Sequence, residues 1–89
     1  MNTETENQIK FDEHLDAKGL NCPLPILRTK VLLNKMQADK ILFVEATDPH
    51  SQVDFEAYCA RTHHILLKSD ISNGIYTFFI KRAANPKKI

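Results

Sequence analysis

Cys22 is followed by prolines at positions 23 and 25 in the stretch GLNCPLPIL, residues 19–27. Proline has no backbone N–H and fixes φ, so it suits the first turn of a helix and damages the interior. This pattern predicts that Cys22 is the N-cap of a helix, with Pro23 and Pro25 in the first turn. The amide of Leu24 and the positive end of the helix dipole would favour a thiolate, so we expect a lowered pKa for Cys22.

The surroundings of Cys22 narrow the chemistry that its sulfur can perform. Gly19 permits a close approach of the chain to the helix, which leaves the sulfur open to another protein. A local dithiol site is excluded, because the fourth position of a C-x-x-C motif is Pro25. The sequence places none of its four histidines as a base for cysteine hydrolase chemistry. Such a thiolate suits sulfur transfer, in which it accepts a sulfane sulfur as a persulfide.

The composition is that of one small globular domain. The chain has 89 residues, of which 43% are hydrophobic and 26% are charged, and its formal net charge is +1. This charge is far from that of a strongly basic nucleic-acid binder, so nucleic acid is not the expected partner. We find no apolar run of membrane-spanning length and no secretory signal pattern, and we expect a cytoplasmic protein with free thiols and no membrane contact.

The hydrophobic pattern predicts the element order β-α-β-α-β-β. Strands are predicted at residues 14–17, 40–47, 65–70 and 75–81, and helices at 23 to about 37 and 49 to about 62. Asn73-Gly74 supplies the positive φ angles of a tight hairpin turn between the last two strands. This order predicts an α/β two-layer sandwich, in which a four-stranded mixed sheet carries both helices on one face.

The chain ends differ from this central domain in composition. We predict a flexible polar tail at residues 1–10, a domain at 11–82 and a basic tail at 83–89. Lys81 and Arg82 extend the basic end, which is either a solvated tail or a contact for an acidic partner surface or tRNA.

The first predicted helix carries two apolar stripes. Four residues at helical spacing are predicted to face the sheet: Ile26, Thr29, Leu33 and Met36. The second stripe consists of Leu24, Leu27 and Val31. It either covers the sheet margin and the neighbouring helix, or forms a docking surface, since Leu24 and Leu27 lie within a turn of Cys22.

Cys59 is the second thiol and lies among apolar residues of the second predicted helix. We predict that it is buried in the core, and its alternative role is a resolving thiol for Cys22. Cys59 and His63 are one turn apart, but no second pair of ligands follows, so no metal site is predicted. Asp48, before Pro49, is predicted to be only the cap of the second helix.

The stretch LDAKGLNCPLPIL resembles the C-P-x-P signature of the TusA/SirA family of sulfur-carrier proteins, and the resemblance extends from about residue 15 to about residue 82. Asp48-Pro49, Asp54, Tyr58-Cys59 and His64 also match. The resemblance implies the same β-α-β-α-β-β sandwich and makes Cys22 the sulfur acceptor. The implied motif and support residues are Gly19, Pro23, Leu24, Pro25, Asp48 and Asp54. Leu24 is a departure that bears on partner choice, because some members of tRNA pathways have an acidic residue there.

The resemblance implies a sulfurtransferase without a cofactor. Its partners would be a cysteine desulfurase or rhodanese-like donor and an acceptor protein, in a route to tRNA thiolation, molybdenum cofactor or sulfur oxidation. Possible partner contacts are Leu27, Val31, Lys81 and Arg82, and direct contact with tRNA is left open. Two alternatives remain: a thiol redox sensor, and a non-catalytic regulatory or interaction module with the same fold.

Overall fold

A computed structural model describes residues 9–85 of the chain. Its elements follow the predicted order: β1 Glu13–Ala17, α1 Leu24–Lys35, β2 Ile41–Ala46, α2 Ser51–Thr62, β3 Ile65–Ser72 and β4 Ile75–Lys81. Most of the predicted tail at 1–10 and the last four residues of the tail at 83–89 lie outside the described residues, so both tails stay predictions. No helix in the described part of the chain is long and apolar enough to cross a membrane.

The four strands form one mixed sheet in the order β1-β2-β4-β3. β1 and β2 are parallel, whereas β4 pairs antiparallel with both β2 and β3. A parallel pair needs a crossover connection, and α1 provides it. Residues of α1 and α2 pack into one core with residues of β2 and β4, which places both helices on the same face of the sheet. The predicted two-layer α/β sandwich is therefore confirmed.

The core lies between this face and the two helices. Alternate residues of β2 and β4 are fully buried beneath the helices: Leu42, Val44, Ala46, Phe78 and Ile80. Phe55 of α2 stacks on Phe78, with ring centroids 4.3 Å apart. Full burial of such a side chain stabilises a fold by roughly 1.5–3 kcal/mol. The stripe predicted to face the sheet does so, because Thr29, Leu33 and Met36 are buried and Ile26 packs against the core.

The predicted hairpin between β3 and β4 is confirmed. Asn73 and Gly74 have φ angles of +53° and +78°, the left-handed conformations that a two-residue turn requires at both positions. The α2 helix ends at Thr62, because His63 also adopts a left-handed conformation with φ of +72°.

The end of β4 is tied to the helix layer by His64 and Arg82. The His64 ring is buried, and its Nδ1 accepts the N–H of Ala83 at 2.9 Å. The Arg82 guanidinium donates to the carbonyls of Leu33 and Ala83. Burial is the main cause of the lowered pKa of His64, and the positive charge of Arg82 lowers it further. The neutral ring is therefore part of the fold, and the predicted partner contact of Arg82 stays a prediction.

We expect His64 to make stability depend on pH. The unfolded histidine, with a pKa of about 6.5, binds a proton that the folded ring resists, so the free energy of unfolding falls as the pH drops from about 7 to 5.5. Urea unfolding at the two pH values measures this loss. His64→Asn, which keeps an acceptor for Ala83, should reduce the pH dependence, and His63→Asn at the exposed neighbour should not. An equal dependence in wild type and His64→Asn would contradict this role.

Candidate functional site

The loops that follow β1 and β2 meet at one edge of the sheet. Because these strands are parallel, with Ala17 opposite Ala46, their carboxyl ends lie side by side. Gly19, with φ of +86°, turns the first loop back towards the second, and its N–H donates to Thr47 Oγ1 at 2.9 Å. The edge therefore brings Cys22 and the start of α1 close to Asp48 and the start of α2.

Asp48 connects these two loops. One carboxylate oxygen accepts the backbone N–H of Cys22, and the other accepts the backbone N–H of His50 at 2.9 Å. The hydrogen bond from His50 is the main cause of the lowered pKa of Asp48, and the bond from Cys22 acts in the same direction. The prediction that Asp48 is only a helix cap is wrong: α2 begins at Ser51 with His50 as its N-cap. The contact with Cys22 spans 26 positions, and only family resemblance pointed to Asp48 as a support residue.

The α1 helix begins one residue later than predicted. Its N-cap is Pro23 rather than Cys22, so Leu24 is the first helical residue and Pro25 the second. The Leu24 N–H donates to the carbonyl of Asn21 at 2.8 Å. The turn therefore uses the amide that was expected to stabilise the sulfur, and the prediction of Cys22 as N-cap is wrong.

The Cys22 thiol is exposed and lies against a carboxylate of α2. Its Sγ donates to Asp54 Oδ2 at 3.3 Å. This hydrogen bond is the main reason that the pKa of Cys22 is raised; desolvation and the negative charges of Asp54 and Asp48 act in the same direction. The expectation of a lowered pKa is therefore wrong, because a carboxylate at contact distance favours the thiol and the Leu24 amide is bonded to Asn21.

The second apolar stripe of α1 faces outward. Leu24, Leu27 and Val31 are 42%, 45% and 56% exposed, so part of each side chain is open to a partner, and both alternatives for this stripe stay predictions. Leu27 and Val31, together with Leu15 of β1, line a shallow groove of about 330 Å³ between α1 and the sheet margin. Lys81 and Arg82 lie elsewhere, because Lys81 pairs with Ile41 at the start of β2, at the opposite edge of the sheet from Cys22.

Cys59 is buried in α2, as predicted. Its residue is 5% exposed, and burial raises the pKa of its thiol to about 11. The two cysteines are therefore chemically unequal, one open to solvent and one held protonated in the core. Among residues 9–85, no group of three or more histidine, cysteine, aspartate or glutamate residues is arranged to hold a metal ion.

Comparison with known proteins identifies the family. A family model described as Sulfurtransferase TusA matches residues 13–82. The chain belongs to the TusA family. The sulfur carrier protein TusA of Allochromatium vinosum is 49% identical over 73 residues, which cover 82% of this chain and 96% of that protein. A putative sulfur carrier protein of Neisseria meningitidis is 46% identical over 69 residues (78% and 93%), and the putative sulfur carrier protein YrkI of Bacillus subtilis is 40% identical over 74 residues (83% and 99%).

These matches confirm the family that the C-P-x-P motif indicated. The matched region contains Cys22 together with Asp48 and Asp54. It also spans every helix and strand of the fold.

We expect Cys59→Ser to lower the free energy of unfolding by about 1–3 kcal/mol, because it places a hydroxyl in an apolar part of the core. Cys22→Ser is the matched control and should leave stability nearly unchanged, since its side chain is exposed. Urea unfolding followed by circular dichroism measures both. Equal stabilities of the two variants would contradict the structural role of Cys59.

Proposed function

We propose that this protein is a sulfur carrier in which Cys22 holds the transferred sulfur as a persulfide. The observation that carries the proposal is the exposed thiol of Cys22 at the junction of α1 and α2, in a chain of the TusA family. Transfer between two proteins requires a sulfur that a second active site can reach, and the buried thiol of Cys59 does not meet this requirement.

The proposed reaction balances without an added oxidant or reductant. The Cys22 thiolate attacks the outer sulfur of a persulfide on the donor; a new S–S bond forms on Cys22 and the S–S bond of the donor breaks. The electron pair of the broken bond leaves with the donor thiolate. In the second half, an acceptor thiolate attacks the outer sulfur on Cys22, and Cys22 departs as a thiolate ready for another cycle.

The proposed partners are a cysteine desulfurase or rhodanese-like protein as donor and a protein thiol as acceptor. Leu24, Leu27 and Val31 are suited to contact them, because they form an exposed apolar strip that begins beside Cys22. Lys81 and Arg82 lie at the opposite end of the strands from Cys22. A partner that contacts them would therefore use a different part of its surface from the part that reaches the thiol. The three routes of tRNA thiolation, molybdenum cofactor assembly and sulfur oxidation all fit this chemistry.

A cytoplasmic location is part of the proposal, because a reducing compartment keeps Cys22 and Cys59 as thiols. The redox-sensor alternative includes a disulfide between Cys22 and Cys59. To form it, the buried Cys59 would have to leave the core and reach the exposed Cys22.

Loading with sulfur tests the proposal directly. We expect incubation of the reduced protein with a cysteine desulfurase and free cysteine to add one sulfur atom to Cys22. Intact mass spectrometry measures the gain, and fragmentation locates it. Dithiothreitol should remove the added sulfur, and Cys22→Ser should not acquire it. A gain on Cys59, or no gain with desulfurase and rhodanese-type donors, would overturn the proposal.

The exposed strip of α1 gives a second prediction. Leu27→Asp places a charge in the proposed contact, so we expect the apparent KM for the carrier in the loading reaction to rise about tenfold, equivalent to about 1.4 kcal/mol. Leu67→Asp is the matched control, because Leu67 is 40% exposed on β3. Thermal unfolding checks that both variants remain folded. Unchanged loading kinetics in Leu27→Asp would exclude this strip as the donor contact.

A further inference from the structure

Asp54 touches the reacting sulfur and has no ionic partner in the described part of the chain. Its Oδ2 accepts the thiol hydrogen of Cys22 at 3.3 Å. None of the ion pairs among residues 9–85 includes Asp54. Lys18, on the loop that leads to Cys22, is already paired with Asp16 and Glu45. The charge of Asp54, in the first turn of α2, is therefore offset only by the helix dipole and by no paired cation among the described residues.

The second carboxylate near the thiol is committed to other contacts. Asp48 holds the backbone N–H groups of Cys22 and His50, and its Oδ1 also lies 3.3 Å from the His50 ring. The first turn of α1 contributes no acidic residue. Of the groups facing Cys22, Asp54 is thus the one whose charge a partner can change without breaking the loop structure. It is half-buried and the thiol is exposed, so both are open to a docked protein.

We propose that Asp54 reduces the small thiolate fraction of Cys22 in the free carrier, and that the sulfur donor activates the thiol by bringing a lysine or arginine side chain to Asp54. The donor half of this inference rests on the proposed carrier function. The protonation half concerns the protein alone.

The contact between Asp54 and Cys22 affects the sulfur both before and after the carrier is loaded. In the free protein, loss of the thiol proton removes the S–H hydrogen bond and sets two negative charges against each other, so the thiol form is favoured. A cation on Asp54 offsets the repulsion; the proton passes to solvent, and the Cys22 thiolate attacks the donor persulfide as described above. Once loaded, the inner sulfur has no hydrogen to donate, and Asp54 repels the anionic outer sulfur towards solvent, where an acceptor can reach it.

The protonation half is tested by alkylation of the free protein with iodoacetamide across a pH series. The rate at Cys22 is read by peptide mass spectrometry in wild type, Asp54→Asn and Glu56→Gln. Glu56→Gln removes the same charge from an exposed position of α2 and should match wild type. We expect Asp54→Asn to react several-fold faster near pH 7, with its profile displaced to lower pH. A profile equal to that of wild type would overturn the role of Asp54, and Asp54→Ser gives the same comparison should the first variant unfold.

The donor half is tested by loading from a cysteine desulfurase at pH 7. If the donor supplies a cation, wild type should load at least as fast as Asp54→Asn despite its slower alkylation, and the variant should show a higher KM because its ion pair is lost. A variant that loads faster by the same factor as it alkylates would overturn the donor half. No loading in either protein would overturn the carrier function and the donor half with it, whereas the alkylation difference would still support the role of Asp54.

Discussion

The carboxylate of Asp48 is the contact on which the geometry of the site depends. The parallel pairing of β1 and β2 brings two loops to one edge of the sheet, but it does not by itself fix the distance between them. The bond from Gly19 to Thr47 joins the loops next to the strands, and Asp48 joins them at the thiol, because its two oxygens hold backbone N–H groups of both Cys22 and His50. The backbone of Cys22 is therefore tied to the start of α2, and Asp54, in the first turn of that helix, is brought to the sulfur.

Most of the fold could be predicted because its signals are local. A run rich in β-branched and aromatic residues marked β2, Asn73-Gly74 marked the hairpin of β3 and β4, and the spacing of Leu33 and Met36 marked the buried side of α1. The helix starts were less accurate. Whether Cys22 or Pro23 is the N-cap depends on which of their carbonyls accepts the first intrahelical bond, and in the structure the Leu27 N–H donates to Pro23, a choice that the proline pattern does not specify.

The site could be predicted only in part. The sequence identified Cys22 as the reactive sulfur, but the sign of its pKa shift depends on Asp54, 32 positions away. The stretch GLNCPLPIL has no charged side chain, so the helix dipole was the electrostatic influence that it predicted on the thiol, and the dipole favours the thiolate. No spacing rule places a side chain of α2 against the loop before α1. That information lies in the crossover between parallel strands and in the bond from Asp48 to Cys22.

A protonated resting thiol suits a protein that carries sulfur between partners. A permanently ionised exposed cysteine would react with any accessible electrophile or oxidant, since the thiolate is the reactive form. Specificity then has to come from docking, and the exposed strip of Leu24, Leu27 and Val31 starts beside the sulfur. The other apolar surface, where Phe43 stacks on Phe79 with ring centroids 4.6 Å apart, lies on the sheet face away from α1. A donor that recognises the α1 strip would therefore meet Cys22 and Asp54 in the same encounter, which couples recognition of the partner to activation of the thiol.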